Sequence, residues 1–279
     1  MFKNNWNGKI SENVFFSPHN IVIIAGPCML ESLELGLEIG SFLKEECKRL
    51  GFPYVFKSSY DKANRLSNDS QRGPGVEQGL KWLSQIKKDL DVPILTDVHS
   101  SEHVINASQF SDVIQVPAFL CQDIEILEAC AHIEDTVIQI KKAQWLSAEE
   151  LIHSAEYLGK MGQNKVTLVE RGVCFGYNNL SVDFRSLVTL QRQKYATIFD
   201  GTHAVQLPGA GNGKTIGLRD MVLPLVKAAV ATGVDGVFLE VHKNPKEALS
   251  DPETQLDPSL ATNVLESIAR IRDGISKWV

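Results

Sequence analysis

Eight short β-prone apolar segments alternate with eight helical segments, no linker separates them, and the strands turn polar at their C-terminal ends. These observations predict an α/β protein, a single (β/α)8 TIM barrel with a short N-terminal strand or hairpin extension. The extension covers residues 1–20 and the barrel 21–279. With 279 residues and 43% hydrophobic content, the chain can bury a core of that size.

Residues 1–20 are polar, with apolar patches at Ile10 and at 14–16, and read as a strand or hairpin or as a loose tail. The first barrel strand, 21–24, runs into a Gly-Pro break, then Cys28, then a helix at 31–49. Strands follow at 54–59 (YVFKSS), 92–98 (VPILTDV), 112–117 (DVIQVP), 136–142 (TVIQIKK), 166–171 (VTLVER), 197–203 (TIFDGTH) and 236–242 (GVFLEVH). The intervening helices are predicted at 76–89, 101–109, 122–133, 147–160, 184–194, 218–232 and 259–276.

Neighbouring residues of a strand face opposite sides. In 136–142, Ile138 and Ile140 are predicted to meet the helices while Gln139 and Lys141 point into the barrel. The same parity groups Val55 with Lys57 and Ser59, Leu95 with Asp97 and His99, and Val113 with Gln115 and Pro117. It also groups Val169 with Arg171, Gly201 with His203, and Phe238 with Glu240. A packed floor under a reactive rim has this pattern, and active sites of such barrels lie at the C-terminal face.

Net charge is −6, which argues against a nucleic-acid or polybasic membrane protein. Five scattered cysteines without a CxxC pair predict reduced thiols in the cytosol. No signal-peptide core and no membrane-length apolar run is present, so the protein is expected to be soluble and cytoplasmic.

Lys57 and Lys141 sit within apolar strands, where a charge requires a partner. With Lys62, Arg65 and Arg171 they form a cationic set at strand ends, best explained by anionic ligands; internal ion pairing is the alternative. Cys28, His203, Glu240 and Asp251 offer a thiolate, an imidazole and two carboxylates on the same rim. That donor set suits a divalent transition metal such as Zn²⁺, Fe²⁺ or Mn²⁺. The stretch 208–215 (PGAGNGKT) misses the phosphate-loop pattern because Pro208 occupies its first glycine position, and it reads as a mobile lid. The polar, Pro-rich stretch 243–258 reads as a second lid.

The motifs IAGPCMLES (24–32), FKSSYDKANRLS (56–67), PILTDVH (93–99), DVIQVPAFLCQ (112–122) and IKKAQWLS (140–147) continue with ERGVCFGYNNLSVDFRSL (170–187), FDGTHAVQLPG (199–209) and LEVHKNP (239–245). In that order they resemble the 3-deoxy-D-manno-octulosonate 8-phosphate synthases over nearly the whole chain after about residue 20. The resemblance implies a homotetrameric (β/α)8 enzyme that condenses phosphoenolpyruvate with D-arabinose 5-phosphate and water, for lipopolysaccharide biosynthesis. Cys28 in the GPC position implies the metal-dependent type, with His203, Glu240 and Asp251 as the other ligands. It further implies phosphoenolpyruvate contacts at Lys57, Ser59, Lys62, Gln115, Lys141 and Arg171, and arabinose 5-phosphate contacts at Asn64, Arg65 and Ser67. His203, Lys57, Asp97 and Asn64 are the catalytic candidates. One departure is Leu66, where the family carries a small hydroxyl residue. A sibling synthase using erythrose 4-phosphate, a Schiff-base aldolase with Lys57 or Lys141 as nucleophile, and a non-catalytic phosphosugar-binding barrel are the rival readings; DKANR (61–65) favours the pentose enzyme over the sibling.

Overall fold

A computed structural model of the chain describes residues 2–17, 20–62, 72–211 and 216–275. Eight strands, β1 (Val22–Gly26), β2 (Tyr54–Lys57), β3 (Ile94–Asp97), β4 (Val113–Val116), β5 (Val137–Lys141), β6 (Val166–Glu170), β7 (Ala196–Asp200) and β8 (Gly236–Glu240), pair in parallel in sequence order. β8 closes on β1 with Gly26 opposite Glu240. The predicted (β/α)8 barrel is therefore present, with each strand followed by its helix.

Five of the eight helices, α1 and α3 to α6, begin at a residue whose side chain caps them. α1 (Leu33–Leu50) starts at Ser32, which accepts from the Leu35 N–H, and ends at Gly51 in the left-handed region (φ 71°). α2 (Val76–Leu90) and α3 (Ser101–Ser108) follow, the latter capped by Ser100. Asp123 caps α4 (Ile124–Ala131), a Ser147–Glu150 capping box opens α5 (Ala148–Lys160), and Asp183 caps α6 (Phe184–Arg192). α7 (Val222–Ala231) and α8 (Pro258–Ile275) complete the ring, with Pro258 in the first turn of α8, where its missing N–H costs nothing.

Two apolar layers result from strand parity. Outward residues such as Ile23, Phe56, Ile138, Leu168 and Leu239 pack against Ile39, Leu83, Leu151 and Leu265 of the helices. Inward residues Val22, Ile24, Val55, Leu95, Val113, Val137, Val169, Ala196, Ile198 and Phe238 fill the barrel. The N-terminal segment closes its lower end: Trp6, Ile10, Val14 and Phe16 join the inner cluster, and an antiparallel bridge links Lys9 to Phe15. The segment is a hairpin-like plug, not a loose tail. Burying these four apolar side chains contributes roughly 1.5–3 kcal/mol apiece.

The seven strands after β1 end one to three residues earlier than the sequence suggests, among them β2 at Lys57 and β7 at Asp200. The early end of β7 overturns one parity grouping. Val169 pairs with Ile198, so Ala196, Ile198 and Asp200 are the inward residues of β7. A Cβ at Gly201 would meet Val226, Leu239 and Val222, so that position faces the helices. His203 reaches the mouth by a turn after the strand, not by strand alternation. A small antiparallel pair, Val173–Cys174 with Leu180–Ser181, stands between β6 and α6 and is not foreseen by the sequence reading.

Candidate active site at the C-terminal mouth of the barrel

In seven of the eight strands the inward set ends in a polar residue above the apolar floor of the barrel; in β1 it ends at Gly26. Lys57, Asp97, Gln115, Lys141, Arg171, Asp200 and Glu240 are all buried at this end. They form two connected networks.

The first surrounds Lys57. Its Nζ lies 3.2 Å from Glu240 Oε1 and 3.9 Å from Asp97 Oδ1, and it donates to Ser59 Oγ at 3.1 Å. Ser59 in turn donates to Asp97, and Lys62 Nζ donates to Ser59 Oγ at 2.9 Å. Burial alone would raise the Asp97 carboxyl; the hydrogen bond from His99 and the field of Lys57 and Lys62 outweigh it and hold Asp97 well below the ordinary carboxylate range. Glu240 is likewise held low, since His203, Lys57 and Lys62 outweigh its burial. Gln115 accepts from Gln139 Nε2 at 2.8 Å on the adjacent strand.

The second network surrounds Asp200. Its Oδ2 lies 2.6 Å from Lys141 Nζ and 2.8 Å from His203 Nδ1, while Oδ1 accepts the His203 backbone N–H at 3.0 Å. Burial opposes the charge of Asp200, but His203 and Lys141 outweigh it and keep the carboxyl far below its usual range. Lys141 also sits 4.0 Å from the ring centroid of Phe238. Arg171 Nη2 donates to Gln206 Oε1 at 2.7 Å and to the His203 carbonyl at 3.3 Å.

Two contacts join the networks. His203 Nε2 is 3.6 Å from Glu240 Oε1, and Gln206 Nε2 donates to Asp251 Oδ1 at 3.2 Å. Lys57, Lys62, Lys141 and Arg171 thus share one mouth with the predicted metal ligands.

Cys28 Sγ lies 3.0 Å from Asp251 Oδ2 and 3.0 Å from Ser250 Oγ, and the Cys28 N–H donates to Gln255 Oε1 at 3.0 Å. One ligand atom each of Cys28, Glu240 and Asp251 falls within 4.8 Å of the others. His203 borders this trio through Glu240. The trio fits a divalent cation: burial first, then the nearby Glu240 charge, pushes the Cys28 thiol well up, and Glu240 Oε2 is buried without a hydrogen-bond partner among the described residues. A cation would relieve both. Asp251 is carried by 243–258, which is packed down and is not a free lid. Ser250, Thr254 and Gln255 are buried, and the Leu256 N–H donates to the Glu240 carbonyl at 2.9 Å.

The lysines have internal acidic partners, so the ion-pairing reading holds for Lys57 and Lys141. Arg171 differs. It is 3% exposed, its hydrogen-bond acceptors among the described residues are both neutral, and its Nη1 has no hydrogen-bond partner among them. Two residues at the centre of the site, Asp200 and Gln206, escaped the sequence reading. The Asp-x-x-His spacing of Asp200 and His203 was the available signal, since it brings both to one side of a turn. Asn64, Arg65, Leu66 and Ser67 lie outside the described residues, as do 212–215 of the proposed first lid.

The model of the DAHP synthetase I family matches residues 13–274. The chain belongs to the DAHP synthetase I family. Proteins named 2-dehydro-3-deoxyphosphooctonate aldolase are among its relatives. One from Fusobacterium nucleatum is 43% identical over 271 residues, covering 97% of this chain and 96% of its own. Another from Desulfotalea psychrophila is 42% identical over 257 residues, covering 92% and 91%. A third from Trichlorobacter lovleyi is 46% identical over 231 residues, covering 83% and 85%. In this DAHP synthetase I family member, no helix among the described residues is long and apolar enough to cross a membrane.

Proposed function

We propose that the chain is a 3-deoxy-D-manno-octulosonate 8-phosphate synthase, condensing phosphoenolpyruvate with D-arabinose 5-phosphate and water and releasing inorganic phosphate. The observation that carries the proposal is Arg171, a buried guanidinium with neutral acceptors and an Nη1 without a partner among the described residues, in the mouth that also holds Lys141, Lys57 and Lys62. A planar fork of this kind takes a phosphate or carboxylate, and the lysines supply point charges around it.

In this reading Lys57, Ser59, Lys62, Gln115, Lys141 and Arg171 hold phosphoenolpyruvate, and Asn64, Arg65 and Ser67 hold the pentose phosphate. The enol C3 bonds to the aldehyde carbon, positive character develops at C2, and water adds there. His203 is fixed through Nδ1 by Asp200, so Nε2 serves one role at a time: it orients that water when no metal is bound and is a metal ligand when one is. The phosphohemiketal then loses phosphate by C–O cleavage. Proximity and charge neutralisation are the protein's main contributions. Cys28, His203, Glu240 and Asp251 would hold a divalent metal (Zn²⁺, Fe²⁺ or Mn²⁺), which supplies Lewis-acid polarisation when bound. Asp97, ion-paired to Lys57 and hydrogen-bonded to Ser59, fixes the lysine's position. The proposal includes a cytoplasmic homotetramer serving lipopolysaccharide synthesis.

The test is phosphate release from phosphoenolpyruvate with arabinose 5-phosphate or erythrose 4-phosphate, on chelated protein and after metal add-back. Release with the pentose alone supports the proposal. Release with the tetrose alone assigns the sibling reaction, and binding of both ligands without release assigns a non-catalytic barrel. Light scattering in solution tests the tetramer.

A further inference from the structure

Lys141 and Arg171 each have a charged neighbour in sequence, Lys142 and Glu170, and strand parity sends those neighbours to the opposite face. There they meet. Lys142 Nζ is 3.4 Å from Glu170 Oε1, and both residues are buried, at 0% and 1% exposure. The ammonium also donates to the carbonyls of Leu146 (3.0 Å), Ala143 (3.4 Å) and Gly172 (3.4 Å). Glu170 Oε1 accepts the Gly172 N–H at 2.6 Å. One buried ion pair thereby ties the loop after β5 to the loop after β6, immediately behind two cations of the mouth.

The arrangement matches no ordinary surface or core role. Burial works against the charge on both groups, pulling Lys142 down and Glu170 up, and an apolar pair would fill the space without that penalty. Gly172 lies in the left-handed region at φ 88°, so the chain turns sharply directly after Arg171, and the pair pins that turn. A second tie runs parallel to it, from the Cys174 N–H to the Gln144 carbonyl at 2.7 Å. The backbone register of Lys141 against Val169 fixes the strands, but both strands end within one residue of the cations. Beyond that point the Lys142–Glu170 pair and the Cys174–Gln144 backbone bond hold the two chain segments together, and the pair is the tie next to the two cations.

We propose that Lys142 and Glu170 are positioning residues: the buried pair sets the separation and aim of Lys141 and Arg171, and thereby the affinity for the phosphorylated three-carbon substrate. This rests on the reading that Lys141 and Arg171 grip phosphoenolpyruvate. A displacement of about 1 Å in such a group is enough to cost on the order of a hundredfold in rate.

The test compares wild type, Glu170→Gln, and the double variant Lys142→Met, Glu170→Gln. Both charges are absent in the double variant, so it is expected to fold even where the single variant does not. For the folded double variant, the KM for phosphoenolpyruvate is expected to rise at least tenfold, while the KM for arabinose 5-phosphate changes less than twofold. A purely structural pair would lower the melting temperature and leave both KM values unchanged, and that result would overturn the proposal. An equal rise in both KM values would overturn it as well. Wild-type protein that releases no phosphate from the two substrates would instead refute the functional reading. In that case titration of phosphoenolpyruvate into wild type and double variant decides the positioning role: a tenfold loss of affinity supports it, and equal affinities refute it.

Discussion

Asp200→Asn removes the charge at the centre of the second network while preserving shape. Asp200 is fully buried and touches both Lys141 Nζ (2.6 Å) and His203 Nδ1 (2.8 Å). Breaking a buried pair by neutralising one partner costs about 3–5 kcal/mol. Lys141 would keep the attraction of Glu240 and the face of Phe238, so the lower end, about 3 kcal/mol, is expected. Unfolding entropy near 2.1 cal/mol/K per residue over 279 residues gives about 0.6 kcal/mol/K, and the melting temperature should fall by about 5 °C. Differential scanning calorimetry measures the shift. Adding Lys141→Met should recover most of it, because no unpaired charge then remains. A single variant that melts within about 1 °C of wild type, or a double variant no better than the single, would refute the assignment of Asp200 as the anchor of Lys141.

Three further outcomes follow from separate parts of the chain. Cys28→Ser should lower the metal retained after gel filtration at least tenfold, measured by elemental analysis, because the trio loses its thiolate. Gly26→Ala should destabilise the barrel by about 1–3 kcal/mol in urea unfolding, since the new Cβ would strike the Lys57 carbonyl across the β1–β2 pair. Burial raises Asp235 from 3.8 to about 6, despite the hydrogen bond it accepts from the Thr197 N–H. A raised folded-state value means that this group's stabilising effect is full below pH 3.8 and is lost as pH climbs toward 6. Asp235→Asn should therefore gain up to about 3 kcal/mol on wild type as pH rises from 4 to 7, read from paired denaturation curves.

The barrel was legible because parallel strands buried on both faces read as apolar runs, and their spacing leaves room for one helix each. Parity then assigned Lys57, Gln115, Lys141, Arg171 and Glu240 to the interior, and separated Lys141 from Lys142. It failed at β7 for a local reason. The run TIFDGTH carries no alternation beyond Asp200, because the chain leaves the sheet there and the Asp200 side chain accepts the His203 N–H. A strand drawn three residues too long puts the wrong residues inside. Gln206 was invisible for another reason: its role is to touch Arg171 and Asp251, which are distant in sequence and meet only in the folded mouth.

The same geometry would make the proposed metal ligands and the proposed anion site compete for one carboxylate. Glu240 belongs to the Cys28–Glu240–Asp251 trio, yet its Oε1 is also the closest acidic partner of Lys57, at 3.2 Å. Drawing Glu240 toward a cation would leave Lys57 with Asp97 at 3.9 Å, and more of its charge would be available to an incoming anion. Removing the metal should therefore weaken phosphoenolpyruvate binding, and coupling of this kind is typically about 1–3 kcal/mol, or roughly 5–150-fold. Calorimetric titration of phosphoenolpyruvate into chelated and metal-loaded protein measures it. Because such coupling is reciprocal, phosphoenolpyruvate must tighten metal binding by the same factor. Equal phosphoenolpyruvate affinities with and without metal would mean that Glu240 does not link the two sites, and that Lys57 is committed to its internal pairs whatever occupies the trio.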